Sequence, residues 1–182
     1  MYWENFYKSF DHLLPSNFCL FVQDFFKDQH LNVIDCGCGN GRDSYELSKH
    51  HQVTGVDLAG SNVSTETCSF IKDNFCTIDK SPYDLIYSRF TFHSIKNEDH
   101  LIFLNSIQKK GTYLCIETRS DKGIDSFRYH GNDHFRNFTN LEYLKDLLEQ
   151  THFHILYIHE SDNLAVYKSE NPICIRVICV KI

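Results

Sequence analysis

The chain has 182 residues, a length that suits one compact domain. Hydrophobic residues make up 42% and charged residues 23%, a balance that allows a packed core and argues against intrinsic disorder. The formal net charge of -6 argues against a nucleic-acid backbone as the main partner, because phosphate binding requires a basic surface.

The pattern of apolar residues predicts helices that alternate with strands along the chain. The first helix is expected over residues 13–29, with Pro15 near its start. Further helices are predicted at residues 42–50, 97–108 and 139–150. Strands are predicted at residues 31–35, 52–57, 69–73, 83–88, 112–117, 153–159 and 173–182.

Short apolar strands separated by helices predict an α/β fold, Rossmann-like, with a mostly parallel seven-stranded sheet covered on both faces. The last two strands lack an intervening helix and are expected to form an antiparallel hairpin, because a parallel pair would need a crossover. Residues 58–69, rich in Ser, Thr and Asn, lack helical periodicity, so we expect a turn or one short helix there. We predict a single domain over residues 1–182.

Membrane, secretory and metal-binding segments are not predicted. No apolar run reaches the roughly 18 residues of a membrane-spanning helix, and residues 1–10 lack the regions of a secretory signal. The cysteines stand mostly where core residues would, and none has zinc-site spacing. We interpret them as buried free thiols of a cytoplasmic protein. Those in apolar segments are Cys19, Cys115, Cys174 and Cys179.

The strongest motif is VIDCGCGNGRDS, where a predicted strand ends at Asp35, glycines follow at Gly37, Gly39 and Gly41, and a helix begins. Glycines allow a tight turn and the close approach of a ligand, and the helix N-terminus directs free N–H groups at that ligand. A nicotinamide dinucleotide requires G-x-G-x-x-G, whereas the spacing here is D-x-G-x-G-x-G. A carboxylate at the head of the loop would repel a pyrophosphate but suits a ligand that carries an ammonium group.

Two more acids follow the next two predicted strands. Asp57 ends the second strand, where an acid can accept both hydrogen bonds of a ribose diol. Asp73 follows the third strand in the segment IKDNF. Parallel strands bring their carboxyl ends to one edge of the sheet, where ligands of open α/β folds bind. The acids therefore predict a ligand site at this edge.

The loop spacing resembles motif I of the class I S-adenosylmethionine-dependent methyltransferases, whose cofactor carries an ammonium group on its methionine part. The resemblance implies S-adenosylmethionine as the cofactor. It places Asp73 near the adenine amino group, Phe75 on the adenine face, and Ser88 and Arg89 beside the methionine part. It also implies that the N-terminal helical segment 1–30 covers the cofactor site. The other predicted cofactor contacts are Cys38, Asn40, Arg42, Leu58 and Asn74.

Polar residues gather in the segments after the fourth and fifth strands and in the final hairpin. His93 lies on the turn after the fourth strand, where it either reaches the acceptor or serves as a capping or packing residue. Glu117 ends a buried strand at the ligand edge. The predicted catalytic residues are His93, Glu117, Arg119, His134 and Arg136. The other polar residues of this region, which surface charge also explains, are Asp121, Asp125, Glu160, Ser161 and Arg176.

Five segments are together similar to small methyltransferases of bacterial surface-polysaccharide biosynthesis, especially those that act on the phosphoramidate modification of capsules. The segments are YWENFY, PSNFCLFV, ETRSD, HFRNF and ES-x-x-LA…P…RV. The resemblance implies O-methylation of a small or saccharide-linked acceptor that bears a phosphoramidate or a sugar.

The two acceptor chemistries require different residues. A sugar hydroxyl needs a general base, for which His93, His134 or Glu117 qualify. An anionic oxygen needs binding and orientation instead, which arginines provide. Those arginines are Arg119, Arg136 and Arg176. The sequence contains both sets and does not choose between them.

Three other classes stay as alternatives. A nicotinamide-dependent oxidoreductase is disfavoured by the loop spacing and by Asp35. A catalytically inactive cofactor-binding subunit would keep the same fold. A nucleic-acid methyltransferase is disfavoured by the acidic charge and by SRFTF, which stands where an Asn/Asp-Pro-Pro-aromatic motif is expected. The sequence does not distinguish a monomer from a homodimer.

Overall fold

A computed structural model describes residues 14–59, 62–123, 129–130 and 134–182, with the backbone alone at residues 123, 129–130 and 134–135. Its α-helices are α1 (Asn17–Phe25), α2 (Arg42–Leu47), α3 (Asn97–Asn105) and α4 (Leu141–Gln150). The strands of its main sheet are β1 (Asn32–Cys36), β2 (Gln52–Asp57), β3 (Cys68–Lys72), β4 (Leu85–Arg89), β5 (Tyr113–Arg119), β8 (Phe153–Ser161) and β9 (Cys174–Lys181). Two short strands, β6 (Tyr129–His130) and β7 (His134–Phe135), pair with each other.

The seven strands of the main sheet lie in the order β3-β2-β1-β4-β5-β9-β8. The strands from β3 to β5 are parallel, and β9 runs antiparallel to both β5 and β8. This arrangement confirms the predicted α/β fold and its C-terminal antiparallel hairpin. The strand order reverses between β1 and β4, the kind of position where open α/β sheets bind ligands.

Helices cover both faces of the sheet. Alternate strand residues divide between two apolar layers, as the two-residue period of a strand requires. On one face α1 packs through Phe18 and Val22 against Tyr87 of β4 and Cys115 of β5. The other layer joins residues of α3 and α4 to the sheet, namely Phe103, Leu104, Leu144, Leu147, Leu148, Ile34, Ile86 and Ile116.

The helix ends differ from the sequence prediction more than the strands do. The helix α1 begins after Ser16, whose hydroxyl accepts a hydrogen bond from Cys19 N at 3.0 Å, and it ends at Phe25 rather than at residue 29. The predicted start at residue 13 lies outside the described residues. The helices α2 and α3 each end three residues before the predicted end. Beyond the end of α3, Ile107 is still buried, so the apolar pattern continues where the helix does not.

Two crossovers proceed without a helix. The described part of 58–67 contains none, as predicted, and the connection 73–84 between β3 and β4 also lacks one. In this second connection Lys80 is buried, and its Nζ donates to Ser106 Oγ at 2.7 Å at the C-cap of α3. Burial lowers the pKa of Lys80. A cation at a helix C-terminus is favourable, so Lys80 fixes this connection against α3.

All eight cysteines are free thiols, and seven of them are buried. Burial is the largest cause that raises the pKa of every one of these thiols. This outcome agrees with the interpretation of the cysteines as core residues. Among the described residues, no helix is long and apolar enough to cross a membrane.

Candidate functional site

The glycine loop between β1 and α2 lies at the carboxyl edge of the sheet. Gly37 N and Cys38 N donate to Val56 O at 2.8 and 3.1 Å, which fixes the loop to the end of β2. Gly37 has a φ of 74°, and a Cβ at this position would overlap the side chain of Thr91. Only glycine therefore fits here, because both the backbone conformation and the space exclude a side chain.

Asp35, at the head of the loop, is buried, and Ser44 Oγ donates to its Oδ2 at 2.6 Å. Burial, and to a smaller extent the nearby carboxylates of Asp43 and Asp57, raise the pKa of Asp35 to about 7. A bound cation would stabilise the charged carboxylate. The site therefore fits a ligand with an ammonium group, as the sequence predicts.

Asp57 connects the end of β2 to the glycine loop. Its Oδ2 accepts from Gly39 N and its Oδ1 from Ala59 N, each at 2.9 Å. A carboxylate offers about four lone-pair sites, so two remain for a ribose diol. The carboxylate also faces a hollow of about 150 Å³. The lining residues of this hollow are Cys38, Asp57, Ala59, Asn62, Phe70, Ile71 and Lys72.

Of the residues predicted around the adenine, Phe75 lies beside the glycine loop, whereas Asp73 and Leu58 are exposed to solvent. A Cβ on Gly37 would lie 3.8 Å from the ring of Phe75, so this ring is next to the glycine loop. Asp73 is exposed, and its Oδ1 accepts from Asn74 N at 2.7 Å. The side chain of Leu58 is half-exposed. On the loop itself, Asn40 Oδ1 accepts from Arg42 N at 3.4 Å.

The end of β4 runs into a backbone turn that the sequence did not reveal. Ser88 is fully buried, and its hydroxyl bonds to Thr91 Oγ1 beneath the glycine loop. The next but one residue, Phe90, has a φ of 59°, a left-handed conformation that is unusual outside glycine. Its ring lies 4.2 Å from the Arg89 guanidinium carbon and 5.5 Å from that of Arg119. Strained residues of this kind cluster at functional sites.

Beside this turn lies a set of charged residues that we call the arginine cluster: Arg89, Arg119, Arg176, Glu117 and Glu170. Glu117 is fully buried, and its two carboxylate oxygens accept from Arg89 Nε at 2.9 Å and from Arg176 Nε at 2.7 Å. Both oxygens are thus engaged by cations. These contacts suit a fixed structural anion better than a general base.

Arg119 is the member of the arginine cluster with a buried donor that no described residue satisfies. Its Nη2 donates to Glu170 Oε2 at 2.7 Å. Its Nε is buried and has no hydrogen-bond partner in the part of the chain that the structure describes. A buried donor without a partner carries a free-energy cost, which a bound acceptor oxygen would remove.

His93 is buried, and its Nδ1 lies 3.3 Å from Arg119 N. A backbone N–H can only donate, so Nδ1 is assigned as the acceptor and the proton of the neutral ring as residing on Nε2. In this tautomer Nε2 carries the proton, and Nδ1 is already engaged by the backbone. Of the other predicted catalytic residues, Arg136 is buried. The side chain of His134 and all of Asp125 lie outside the described residues.

Glu160, also noted in the sequence, is engaged by other side chains. Its Oε1 accepts from Ser120 Oγ at 2.6 Å, and its Oε2 pairs with Lys122. These contacts tie β8 to the end of β5.

A buried network near the site has no signal in the sequence. Asp43 accepts from Ser16 N and Ser16 Oγ, both at 2.7 Å, and from Tyr87 OH at 2.8 Å. The network joins the start of α1, the first turn of α2 and β4. It therefore positions α1 against the edge where the glycine loop lies.

A larger hollow, of about 370 Å³, lies at the opposite edge of the sheet. Its lining includes Asn32, Gln52 and Pro82, which stand at or before the starts of strands. We place the candidate site at the carboxyl edge nevertheless, because the glycine loop, Asp35 and Asp57 converge there.

Comparison with known proteins agrees with this geometry. The family model described as "Methyltransferase domain" matches residues 10–158. The chain belongs to this family. A search of curated proteins found no match to this methyltransferase.

Solved structures with the same fold include several methyltransferases. One is an S-adenosylmethionine-dependent methyltransferase from Methanosarcina mazei, at 17% identity and a TM-score of 0.72, with 88% of this chain and 97% of that chain covered. Another is the Burkholderia thailandensis 1,6-didemethyltoxoflavin-N1-methyltransferase with bound S-adenosylhomocysteine, at 18% identity and a TM-score of 0.66, covering 90% and 76%. A third is the Synechocystis magnesium protoporphyrin IX methyltransferase with bound S-adenosylmethionine, at 12% identity and a TM-score of 0.67, covering 90% and 78%.

The family match confirms the predicted methyltransferase class and its cofactor, S-adenosylmethionine. The solved structures confirm the predicted fold. The acceptors named for the solved structures differ widely, so the fold alone does not identify the acceptor.

Proposed function

We propose that this methyltransferase methylates an anionic oxygen of a small or saccharide-linked acceptor, such as a phosphoramidate-bearing precursor of a bacterial surface polysaccharide. The observation that carries the proposal is the contrast between two residues. Glu117, a candidate base, has both oxygens engaged by arginines, whereas Arg119 keeps a buried Nε without a partner among the described residues.

The chemistry of the acceptor explains why this contrast matters. A sugar hydroxyl is a very weak acid and needs a base to accept its proton in the transition state. A phosphate or phosphoramidate oxygen is already anionic and needs only to be held in line with the methyl group. His93 Nδ1, assigned as an acceptor from Arg119 N, is not available as a base, which suits the second case.

The charge of the arginine cluster supports the same acceptor. Three guanidinium groups and two carboxylates give the arginine cluster one net positive charge. A planar guanidinium can grip two oxygens of one anion, which Lys does not reproduce. Strong ground-state binding of the anion would oppose catalysis, so Arg119 serves chiefly to orient the acceptor.

The remaining residues of the site are proposed to hold the cofactor. When bound, S-adenosylmethionine supplies an electrophilic methyl group. Asp35 balances the ammonium group, Asp57 accepts from the ribose diol, and Phe75 packs on the adenine. The reduced thiols of the core support a cytoplasmic location.

A comparison of acceptors tests the proposal. The purified protein is incubated with S-adenosylmethionine and either a phosphoramidate-bearing sugar or the same sugar without that group, and methyl transfer is measured from pH 5.5 to 8.5. We expect methylation of the phosphoramidate alone, with His93→Ala largely active and Arg119→Lys impaired in acceptor KM. Methylation of the plain sugar, with a histidine-like pH limb abolished by His93→Ala, would establish the hydroxyl acceptor instead. Cofactor binding without transfer to either acceptor would favour an inactive cofactor-binding subunit.

A further inference from the structure

The loop between β8 and β9, residues 162–173, is held against the arginine cluster by its own hydrogen bonds. Arg176 Nη2 donates to Leu164 O at 2.8 Å. Within the loop, Tyr167 and Glu170 exchange two backbone hydrogen bonds, each at 2.9 Å. The backbone of Glu170 is therefore fixed beside Arg119.

The two partners of the Arg119–Glu170 ion pair differ in exposure. The side chain of Arg119 is only 12% exposed, whereas that of Glu170 is 49% exposed. The guanidinium carbon of Arg119 lies 5.5 Å from the ring of Phe90, whose other neighbour is Arg89, so burial and this ring restrict the Arg119 side chain. The carboxylate is the partner that can leave, since it already borders solvent.

The ion pair also leaves one nitrogen of the Arg119 guanidinium without a hydrogen bond to any described residue. Glu170 accepts from Nη2, while the neighbouring Nε has no partner within the described ranges. An anion with two oxygens on one centre can accept from both nitrogens in a bidentate arrangement, which is stronger than a single contact. Such an anion satisfies Arg119 better than Glu170 does.

We propose that Glu170 is an internal competitor that occupies Arg119 until an anionic acceptor displaces it. The inference rests on the proposed function, since it assumes that the acceptor is anionic. The exchange gives the site a threshold: an anion binds only if it interacts with Arg119 better than a tethered carboxylate. Phosphate-type groups carry up to three terminal oxygens and up to two negative charges, so they pass this threshold more readily than a carboxylate with two oxygens and one charge.

Binding of inorganic phosphate tests the proposal without knowledge of the natural acceptor. Phosphate is titrated into the S-adenosylhomocysteine complex of the full chain at fixed ionic strength, and binding is followed by calorimetry and ³¹P line width. Glu170→Gln keeps the size of the side chain and removes its charge. The matched control is Glu142→Gln, which removes the carboxylate of an exposed ion pair with Lys145 in α4.

We expect Glu170→Gln to bind phosphate about 3- to 10-fold more tightly than the wild type, in proportion to the loss of a modest competing ion pair. Glu142→Gln should match the wild type. The double variant Glu170→Gln/Arg119→Gln should lose the gain, while circular dichroism checks that each variant is folded. Equal phosphate affinity in the wild type and Glu170→Gln would overturn the proposal, as would a gain that survives the loss of Arg119.

The failure of this inference can be separated from the failure of the proposed function. If the phosphoramidate acceptor is methylated but Glu170→Gln binds phosphate no better than the wild type, the competitor role is wrong and the function stands. If Glu170→Gln gains phosphate affinity through Arg119 but no anionic acceptor is methylated, the exchange at Arg119 stands and the proposed acceptor is wrong.

Discussion

Asp35→Asn is expected to stabilise the protein above neutral pH while it weakens cofactor binding. The asparagine has nearly the same shape, and its oxygen can still accept the hydrogen bond from Ser44 Oγ. It removes a carboxylate whose pKa is raised by burial from 3.8 to about 7. The prediction is therefore that a residue of the cofactor site lowers the stability of the free protein.

The direction in which pH changes the free energy of unfolding follows from proton binding to Asp35. Between pH 3.8 and about 7 the folded state of the wild type holds a proton on Asp35 that the unfolded state has lost. The stability linked to Asp35 is therefore present at low pH and is lost as the pH rises through about 7. The shift of about three pKa units corresponds to roughly 4 kcal/mol. The advantage of Asp35→Asn should grow by about 1.4 kcal/mol per pH unit and level off above neutrality.

Urea unfolding of the cofactor-free protein at pH 5, 6, 7 and 8 measures this difference. Other carboxylates titrate in both proteins, so their contributions cancel when the two free energies of unfolding are subtracted. Asp84→Asn is the control: hydrogen bonds from Lys109 and Asn32 lower the pKa of Asp84, so this change should destabilise the protein by an amount that stays constant from pH 5 to pH 8. A difference between Asp35→Asn and the wild type that stays constant from pH 5 to pH 8 would refute the reasoning.

Three further substitutions test the site and the arginine cluster. Gly39→Val should abolish S-adenosylhomocysteine binding in calorimetry, because a β-branched residue resists the φ of 55° at this position; unchanged affinity would contradict the loop assignment. Asp57→Ala should weaken cofactor binding at least about tenfold, and a loss below twofold would rule out the ribose contact. Glu117→Leu should cost about 3–5 kcal/mol in urea unfolding, since it leaves two buried guanidinium groups uncompensated; a loss below about 1 kcal/mol would show that water reaches the pair.

The order of helices and strands could be predicted from the sequence because apolar periodicity is a local signal. The helix ends could not, because residues such as Ile107 are buried by tertiary packing after the helix has ended. The polar composition of residues 58–69 predicted a turn or one short helix, and the described part of 58–67 contains no helix. The shape of the connection 73–84 was not predicted. It depends on the burial of Lys80, and the sequence does not show whether a lysine is buried or exposed.

The residues proposed to hold the cofactor could be brought together from the sequence, whereas the contacts of those proposed for the acceptor could not. The glycine loop, Asp35 and Asp57 follow strand ends, so a motif and a strand count bring them together. The partners of Glu117, by contrast, are 28 and 59 residues away in the chain. No local pattern reports such contacts, so the sequence allowed Glu117 as a base without revealing the two arginines that contact its oxygens.

Gly55, within β2, is another residue whose role depends on contacts that the sequence does not show. In the sequence it is an ordinary strand residue, but a Cβ there would lie 2.7 Å from the ring of Phe70 and 3.0 Å from Cys38 Sγ. The missing side chain makes room for the aromatic ring beside the glycine loop. The requirement arises from the pairing of β2 with β3, which only the folded chain reveals.

The reactivity of the eight free thiols can be used to measure unfolding of the protein. The thiolate is the reactive form, and every cysteine in the folded chain has a raised pKa. A coloured thiol reagent should therefore react slowly with the native protein and rapidly with all eight groups once the chain opens. The absorbance of the released dye would count unfolded molecules directly, without an engineered label and without an assay for the acceptor.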